Sequence, residues 1–482
     1  MAIKLAQLLG GDRTDGTVNI TGLTVDSRAV QKGDMFVAFP GARFDGRAFI
    51  DDAISAGASA ILTTPGTAIA NRSVSVVEDT MPRRKYAELA ARFHGAQPAT
   101  QVAITGTNGK TSVADFTRQF WQLLGQDAAS LGTLGVRSPS INRPGGLTTP
   151  DPMALHEILR DLAGAGVQHT AIEASSHGLD QYRLDGVRLK AAAFTNLTRD
   201  HLGYHKSEQG YFYAKARLFG ELLAPGSTAV INIDSSWGGL MDDIAWARGL
   251  EKLTVGRAAS ADLRLTKQRP LPTGQQIEIT FGGHQYAAQL PLIGGFQAEN
   301  VLLAIGLVIA TGGNLESCLT KVPHLVGVPG RMEYVGETAS GGSVFVDYAH
   351  TPDGLSTVLQ AARAHQPKNL HVVFGCGGDR DKGKRPLMGG VAQEFADFQY
   401  VTDDNPRTED AATIRKEILT ALSSATEIAS RASAIECAIS AMQAGDMLVV
   451  AGKGHEEGQV VGTDVLPFSD IETVKTILTN GG

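Results

Sequence analysis

The sequence has few cysteines and no long apolar stretch. Its three cysteines stand far apart, at positions 318, 376 and 437. Their number and spacing exclude a disulfide framework and a Cys-X-X-Cys metal site, and they favour a reducing compartment. The longest apolar run, residues 301–310, is too short to cross a bilayer. The start of the chain lacks the pattern of a signal peptide, so we expect a cytoplasmic protein without stable membrane insertion.

Basic residues are fewer than acidic residues. Lys and Arg number 43 against 50 Asp and Glu, which gives a formal charge of −7. This balance argues against a surface that coats nucleic acid. The chain has 43% hydrophobic and 19% charged residues, a globular composition that excludes extensive disorder. At about 100–200 residues per domain, the 482 residues predict two to four domains.

Apolar strand patterns and helix patterns alternate along the chain. Up to about residue 97, short strands and helices are separated by Gly, Asp and Pro. A second stretch opens with the strand 102–105, and a third follows the GVPGR sequence at residues 327–331. Alternation of this kind predicts the α/β class, with parallel sheets covered by helices. Ligands bind beyond the carboxyl ends of such strands, where this chain carries polar and Gly-rich segments.

One of these segments has the composition of a phosphate-binding loop. The sequence Gly-Thr-Asn-Gly-Lys-Thr-Ser, residues 106–112, lies between a predicted strand and a helix predicted at 113–124. Glycines let backbone amides approach phosphate oxygens, Lys110 would reach the β- and γ-phosphates, and the Thr111 hydroxyl would bind Mg²⁺. The GxxGKT spacing departs from the general pattern, because Ile104 stands where its first glycine would be. The alternative is a Gly-rich turn without a ligand.

The loop, written TGTNGKTS, resembles that of the Mur ligases and folylpolyglutamate synthases. Further Mur ligase motifs follow in family order over nearly the whole chain: EASSHGL (173–179), TNLTRDHLGYH (195–205), YAKARLF (213–219), GRME (330–333), DYAHTPDG (347–354), GCGGDRDKGKRPLM (375–388), DDNPR (403–407) and AGKGHE (451–456). The chain is most similar to the Mur ligases that add the third residue to UDP-MurNAc-L-Ala-D-Glu.

The resemblance implies three domains. They are a smaller N-terminal α/β UDP-binding domain (1–97), a central P-loop-type ATPase domain with a mainly parallel sheet (98–328) and a C-terminal Rossmann-like amino-acid-binding domain (329–482). It also implies ATP as co-substrate, Mg²⁺ as cofactor and a carboxylate activated as an acyl phosphate, which an amine then attacks. Because these partners are anionic, the protein must supply cations.

The catalytic residues implied by the resemblance are Lys110, Glu173, His201 and Lys215. Glu173 would otherwise be a surface acid at a strand end, His201 a structural hydrogen-bonding group, and Lys215 an exposed helical lysine. In the family the lysine at this place is carbamylated to N6-carboxylysine. The implied metal ligands are Thr111, Glu173, His201 and the modified Lys215.

Nucleotide and muramoyl substrate contacts are also carried over by position. The implied ATP contacts are Gly106, Thr107, Asn108, Gly109, Lys110, Thr111, Ser112, Asn300, Arg331 and Asp347. Asn300 would otherwise cap a helix. Because these ATP contacts come from two predicted domains, we expect domain closure to assemble the site.

The implied UDP-MurNAc-dipeptide contacts are Val25, Ser27, Ala42, Arg43, Phe44, Thr148, Thr149, Ser175, Gln181 and Arg183. The residue types at positions 42–44 differ from those usual in the family, so we expect mainly backbone contacts there. Leu147 also departs from the Asn of some members.

The amino acid to be added is indicated by Arg407. The second α-carboxylate of meso-diaminopimelate fits an arginine fork, whereas lysine ends in an ammonium group that Arg407 would repel. The implied diaminopimelate contacts are Arg380, Asp404, Asn405, Pro406, Arg407, Gly452 and Glu456. Glu456 would face the distal ammonium group, and the alternative for Arg407 is an exposed turn residue.

The alternative functions are a lysine-adding ligase of the same type, a folylpolyglutamate synthase and a non-catalytic nucleotide-binding module. Arg407 argues against the first, and the DDNPR and GCGGDRDKGKRP sequences argue against the second. The third is disfavoured by the complete set of Lys110, Glu173, His201 and Lys215. We expect small-molecule substrates as partners, no nucleic acid, and a monomer. Cys376, between glycines, is expected to be a small packing residue and not a nucleophile.

Overall fold

The computed structural model describes residues 2–10, 18–41, 44–71, 73–198, 200–271 and 274–481. Its contacts divide the chain into two compact units, Met1–Ala261 with Leu303–Leu315, and Asp262–Leu302 with Glu316–Gly482. Positions 42 and 43, two of the predicted substrate contacts, lie outside the described residues. The boundaries of the three predicted domains, after residues 97 and 328, remain a prediction.

The first unit begins with a small parallel sheet. Its strands β3, β4, β5 and β6 pair in that order. The buried residues of β4 and β5 are apolar except for Thr63 at the end of β5, as expected of a parallel strand covered on both faces. The elements are β1 (Ile3–Lys4), α1 (Leu5–Leu9), β2 (Asn19–Ile20), β3 (Leu23–Thr24), β4 (Met35–Ala38), α2 (Ile50–Ser55), β5 (Ala60–Thr63), β6 (Ser75–Glu78) and α3 (Pro82–His94), with 3₁₀ turns at Ser27–Ala29 and Gly46–Phe49.

A larger sheet follows in the same unit. The elements are β7 (Thr100–Thr105), α4 (Lys110–Leu123), β8 (Ala128–Gly132), β9 (Gly135–Arg137), β10 (Asn142–Arg143), α5 (Pro152–Gly164), β11 (His169–Glu173), α6 (Ser176–Asp180), β12 (Ala191–Phe194), α7 (Leu202–His205), α8 (Glu208–Arg217), β13 (Thr228–Asn232), α9 (Gly238–Ala247) and β14 (Glu251–Gly256), with a π-helical turn at Leu218–Leu222. Helix α4 begins three residues before its predicted start, at the loop lysine.

The register of the larger sheet brings its loops to one edge. Its order is β10-β9-β8-β11-β7-β12-β13-β14, with β9 and β10 antiparallel and the other neighbours parallel. Glu173 at the end of β11 pairs with Ile104 of β7, and Phe194 at the end of β12 pairs with Thr105. The phosphate loop after β7 therefore leaves the sheet beside Glu173 and the segment after β12.

The second unit combines an antiparallel hairpin region with a further α/β sheet. The elements are β15 (Leu263–Leu271), β16 (Gly274–Phe281), β17 (His284–Leu290), α10 (Gly295–Ala310, which continues into the first unit), α11 (Leu315–Lys321), β18 (Glu333–Glu337), β19 (Ser343–Asp347), α12 (Pro352–Ala364), β20 (Leu370–Phe374), α13 (Lys384–Phe395), β21 (Phe398–Val401), α14 (Ala411–Leu419), β22 (Thr426–Glu427), α15 (Arg431–Ala441), β23 (Met447–Ala451), β24 (Gly458–Val461), β25 (Asp464–Pro467) and α16 (Asp470–Thr479), with a 3₁₀ turn at Val322–His324.

The second sheet has the order β18-β19-β23-β20-β21-β22, in which β18 is antiparallel and the other neighbours are parallel. Apolar residues of β19, β20 and β23 fill the cores on its two faces. The predicted ligand residues Asp347, Asp404 and Gly452 lie at or just beyond the carboxyl ends of β19, β21 and β23. The α/β class with parallel sheets, predicted from the alternating pattern, is confirmed.

Within the described ranges, no helix is long and apolar enough to cross a membrane.

Candidate active site

The phosphate loop has a backbone that only glycine allows at two positions. Gly106 has φ 149° and Gly109 has φ 87°. A Cβ atom on Gly106 would lie 1.9 Å from the Thr195 hydroxyl oxygen. The segment after β12 fixes the loop, because the Thr107 amide donates to the Asn196 carbonyl at 2.8 Å and the Asn108 amide to Asn196 Oδ1 at 3.0 Å. The loop thus leads directly into the N-terminus of α4, which favours anions.

Lys110 lies over the same loop. Its Nζ donates to the carbonyl oxygens of Gly106 and Thr107 at 2.9 and 2.8 Å. Thr111 and Ser112, which follow in the first turn of α4, are buried. A cation and hydroxyl groups therefore accompany the backbone amides at one helix N-terminus.

Glu173 is an internal carboxylate, so its interpretation as a surface acid is wrong. Only 2% of the surface of Glu173 is exposed. The Thr111 hydroxyl donates to Glu173 Oε2 at 3.0 Å, and Thr133 donates from its amide to Oε1 at 2.9 Å and from its hydroxyl to Oε2 at 3.2 Å. A Cβ atom on Gly132 would lie 2.1 Å from Glu173 Oε1, so the strand end must be glycine for the carboxylate to fit. Carboxylate and hydroxyl oxygens of this kind suit Mg²⁺.

Lys215 is also internal, and its interpretation as an exposed helical lysine is wrong. It is 1% exposed. Its Nζ donates to the Gly106 carbonyl at 2.7 Å and lies 4.2 Å from the centre of the Tyr211 ring. Burial, and secondarily the nearby Lys110 charge, lowers the pKa of Lys215 well below its usual 10.5. The structure thus holds an amine that loses its proton readily beside the phosphate loop.

His201 belongs to a group of aromatic rings near Lys215. Its ring centre is 4.9 Å from that of His177 and 5.9 Å from that of Tyr211. His201 has φ 54°, and its Nε2 lies 3.4 Å from Asp200 Oδ2. Burial lowers the pKa of His201, against the opposing effect of Asp200. The neutral imidazole favoured by burial is the form that binds metals.

The predicted muramoyl contacts form one hydrogen-bonded cluster beside Glu173. The Thr149 hydroxyl donates to the Glu173 carbonyl at 2.9 Å and lies 3.1 Å from the Ser175 hydroxyl, which caps α6. Arg183 donates to the Thr149 carbonyl at 2.7 Å and to Gln181 Oε1 at 2.7 Å. The Thr148 hydroxyl joins the cluster through Thr133, at 3.1 Å.

The predicted uridine contacts Val25 and Ser27 follow strand β3 of the small N-terminal sheet, and the predicted substrate contact Phe44 precedes the 3₁₀ turn at Gly46–Phe49. Val25 and Phe44 are exposed, and Ser27 begins the 3₁₀ turn that Asp26 caps. Val25 also lines a cavity of about 470 Å³ whose other walls include Tyr86 and the start of α5. The structure therefore places these residues on an accessible surface of the first unit.

In the second unit, the predicted ATP contacts are linked through hydrogen bonds. Asp347 accepts the Met332 and Ala349 amides, each at 2.7 Å, and burial raises its pKa to about 6. The Arg331 guanidinium lies 4.7 Å from the centre of the Tyr348 ring.

Asn300 lies inside α10, five residues after its start, so the alternative of a helix cap is wrong. Its side-chain amide donates to Gln297 Oε1 at 3.2 Å, and Gln297 in turn donates to the Arg331 carbonyl at 3.3 Å.

The predicted diaminopimelate contacts converge at the ends of β21 and β23. Arg407 has φ 53°, and its guanidinium donates to the Gly378 carbonyl at 2.7 Å, so it is not a freely exposed turn residue. The Asn405 side-chain amide donates to Glu456 Oε2 at 3.1 Å. Asp404 packs against Gly452, where a Cβ atom would lie 2.7 Å from Asp404 Oδ2.

Two further predicted residues flank this group. Pro406 is buried between Asn405 and Arg407, and Arg380 is exposed.

Cys376 is buried with its Sγ 3.5 Å from Met388 Sδ, and burial raises the pKa of the thiol to about 12. A protonated, packed thiol agrees with the expected role of Cys376 as a small core residue.

Models of known protein families match most of the chain. Family models described as "Mur ligase family, catalytic domain", "Mur ligase middle domain" and "Mur ligase, glutamate ligase domain" match residues 19–95, 104–308 and 330–454. The chain is 48% identical to the UDP-N-acetylmuramoyl-L-alanyl-D-glutamate–2,6-diaminopimelate ligase of Bradyrhizobium diazoefficiens, with 99% of each chain covered. The chain belongs to the Mur ligase family.

One further relative and two solved structures are also similar to this Mur ligase. A ligase of the same name from Chelativorans sp. is 50% identical, covering 96% of this chain and 95% of the relative. A solved ligase of that name is 32% identical with a TM-score of 0.75, covering 100% of this chain and 99% of that one. The MurF ligase of Thermotoga maritima in complex with ADP shares the fold, with 18% identity, a TM-score of 0.62 and coverage of 95% and 97%.

Three residues that sequence reasoning did not single out contribute to the sites of this Mur ligase. Thr133 holds Glu173, Asn196 holds the phosphate loop, and Lys453 contacts both Asn405 and Glu456. Thr133 and Asn196 follow the carboxyl ends of the parallel strands β8 and β12, and this position is the signal that could have identified them. Lys453 lies within the quoted AGKGHE motif.

Proposed function

We propose that this Mur ligase joins meso-2,6-diaminopimelate to the D-Glu side-chain carboxylate of UDP-MurNAc-L-Ala-D-Glu. ATP is the co-substrate, and ADP and phosphate are released. The observation that carries the proposal is full-length identity of 48–50% to ligases of that name, in a chain whose phosphate loop, buried Glu173 and buried Lys215 lie together. The reaction belongs to peptidoglycan precursor synthesis, and we assign it to the cytoplasm.

The loop after β7 binds the ATP phosphates. Its backbone amides and the N-terminus of α4 face the anion, and the Lys110 ammonium moves from the loop carbonyls to the β- and γ-phosphates. In the second unit, Asn300, Arg331 and Asp347 are the proposed ATP contacts.

The proposed Mg²⁺ ligands are Thr111, Glu173, His201 and carbamylated Lys215. The oxygen donors around Glu173 and the neutral imidazole of His201 fit this role. Bound Mg²⁺ would neutralise the charge that develops on the transferred phosphoryl group. Glu173 is preorganised for this task, because Thr111 and Thr133 already hold its two oxygens.

Lys215 supplies its ligand only after modification. Its neutral amine attacks the carbon of CO₂. As the C–N bond forms, one C=O π bond of CO₂ breaks and its electron pair goes to oxygen, and the nitrogen gives one proton to solvent, which leaves an anionic carbamate. Burial supports this step, because it lowers the pKa of Lys215 and so increases the nucleophilic form.

The muramoyl dipeptide lies along the cluster of Thr148, Thr149, Ser175, Gln181 and Arg183. Arg183 suits a carboxylate or phosphate of this substrate because its fork donates two parallel hydrogen bonds. The uridine end is contacted by Val25 and Ser27, and residues 42–44 are further proposed contacts to the UDP-linked substrate. The D-Glu side-chain carboxylate accepts the γ-phosphoryl group of ATP, and ADP leaves. The amine of the incoming amino acid then attacks the carbonyl carbon of the acyl phosphate, and phosphate leaves as the amide forms.

The incoming amino acid is bound by seven residues of the second unit: Arg380, Asp404, Asn405, Pro406, Arg407, Gly452 and Glu456. Arg407 pairs with the distal carboxylate of diaminopimelate, and Glu456 faces its distal ammonium. L-Lysine lacks this carboxylate and leaves Arg407 unpaired, so it is rejected.

The domain assignment follows the same division of tasks. We propose a UDP-binding domain at 1–97, an ATP-binding domain at 98–328 and an amino-acid-binding domain at 329–482. The partners are small molecules, with no nucleic acid, and the protein acts as a monomer.

A competition assay tests the function. The protein is incubated with UDP-MurNAc-L-Ala-D-Glu, ATP and equal amounts of diaminopimelate and L-lysine, and the products are identified by mass spectrometry. We expect the diaminopimelate tripeptide, and ¹⁸O from a labelled D-Glu carboxylate in the released phosphate. A lysine product would establish the lysine-adding alternative, and the absence of any ATP-dependent product would contradict the proposal.

A further inference from the structure

The AGKGHE segment after β23 contains a lysine that cannot reach a ligand. Lys453 has a fully buried side chain, with an exposed fraction of 0%, whereas the side chain of Glu456 is 33% exposed. The Glu456 amide donates to the Lys453 carbonyl at 3.0 Å, which closes a turn and brings the two side chains together. Lys453 therefore acts on a ligand only through the groups that it holds.

Those groups are two of the proposed diaminopimelate contacts. Lys453 Nζ lies 3.0 Å from Glu456 Oε2 and 3.1 Å from Asn405 Oδ1. Asn405 also donates to Glu456 Oε2 at 3.1 Å and accepts the Val460 amide at 2.9 Å. The ammonium group thus fixes the amide orientation of Asn405 and the position of the Glu456 carboxylate at once.

Lys453 also changes the charge that Glu456 presents. Lys453 is the cation that contacts the Glu456 carboxylate, at 3.0 Å, so the two charges of this pair cancel. The distal end of diaminopimelate carries one carboxylate and one ammonium and is also neutral. The end of L-lysine carries an ammonium alone, and without Lys453 the unpaired negative charge of Glu456 would attract it more strongly.

We propose that Lys453 is a specificity-determining positioning residue, which holds Asn405 and Glu456 and neutralises Glu456 so that an amino acid ending in an ammonium alone is not accepted. The inference rests on the proposed function. It assigns to a residue outside the ligand contacts a share of the discrimination that Arg407 alone would otherwise supply.

The variant Lys453→Met tests this role. It removes the charge with little change in side-chain length, and Glu456, being partly exposed, can be hydrated in its place. We expect the ratio of kcat/KM for diaminopimelate to that for L-lysine to fall about tenfold or more, because lysine use increases; tenfold corresponds to about 1.4 kcal/mol. The assay measures ADP release with each amino acid in the full-length protein, and mass spectrometry identifies the tripeptide formed.

Two matched variants separate charge from structure. The double variant Lys453→Met with Glu456→Gln restores the charge balance, so the ratio should rise again from that of Lys453→Met. Glu456→Gln alone leaves Lys453 unbalanced and should lower lysine use more than diaminopimelate use. This second arm decides the question if Lys453→Met melts at a lower temperature than the parent and no longer binds ATP.

An equal loss of both activities in folded Lys453→Met, or a ratio that Glu456→Gln lowers or leaves unchanged, would overturn the inference. These results are distinguishable from failure of the proposed function. If the proposed function is wrong, the parent protein itself forms no diaminopimelate tripeptide, and that result overturns both the proposed function and this inference.

Discussion

Replacement of Arg407 tests how the amino acid is selected. The residue is fixed by its backbone, whose amide donates to the Val460 carbonyl at 3.0 Å and whose carbonyl accepts the Gly462 amide at 2.7 Å. One guanidinium nitrogen, Nη1, donates to the Gly378 carbonyl at 2.7 Å and to the Asn405 carbonyl at 3.5 Å. A guanidinium has five N–H donors, so others remain for a carboxylate. We therefore compare Arg407→Lys, which keeps the charge, with Arg407→Ala, which does not.

The expected magnitude follows from these contacts. Hydrogen bonds to charged groups contribute about 1.5–3 kcal/mol, so losing the carboxylate contact should lower kcat/KM for diaminopimelate about 10- to 150-fold in Arg407→Ala. Arg407→Lys should lose less, since it keeps the charge but not the planar fork. Both variants retain a Cβ atom at φ 53°, so backbone strain does not distinguish them from the parent.

The assay measures initial rates over a range of diaminopimelate concentrations and, separately, the Kd for ATP. Because Arg407 is proposed to contact only the amino acid, the Kd for ATP should stay within about twofold of the parent value. Unchanged kcat/KM for diaminopimelate in Arg407→Ala would refute the assignment. A parallel loss of ATP affinity would instead indicate a general disturbance of the second unit.

The remaining predictions concern the phosphate loop and two buried ionisable groups. Lys110→Ala should abolish tripeptide formation without changing the melting temperature, and normal turnover would exclude the assigned loop. Intact mass spectrometry at neutral pH should detect one added CO₂ on the parent but not on Lys215→Arg, and equal masses of adduct on both would contradict carbamylation. The pKa of Asp347 is raised from 3.8 to about 6, so the folded chain binds this proton more tightly than the unfolded chain. The stability of the parent relative to Asp347→Ala should therefore fall as the pH rises from about 4 to about 6, and an increase would contradict the burial of this carboxyl.

Local patterns were enough to predict the α/β class and the loops that carry polar residues. The apolar segments at 102–105 and 447–451 form strands because nothing in them competes with burial on both faces of a parallel sheet. Glycine at positions 106 and 109 marks the loop before α4, since its backbone turns have positive φ. The predicted start of α4, at residue 113, is three residues late. The residues from Lys110 to Ser112 are polar, so the apolar pattern does not include them although they are helical.

Side-chain environment was not readable from these patterns. Glu173 and Lys215 have the residue types of surface groups, and their burial depends on neighbours that lie far away in the chain. Lys215 meets the Gly106 carbonyl 109 positions earlier, and Thr133 meets Glu173 across 40 positions. The alternative interpretation of Asn300 as a helix cap is wrong for a similar reason, since α10 begins at Gly295, whereas the predicted contact of Asn300 with ATP stays a prediction.

The sequence by itself determined which segments become strands, helices and polar loops, and its motifs indicated the family. Spacing and hydrophobicity act between near neighbours, and they suffice for these features. Only the tertiary structure decided which charges are buried and which of them face one another, as at Lys453 and Glu456. Desolvation and electrostatic pairing depend on distances through space, which the order of residues along the chain does not contain.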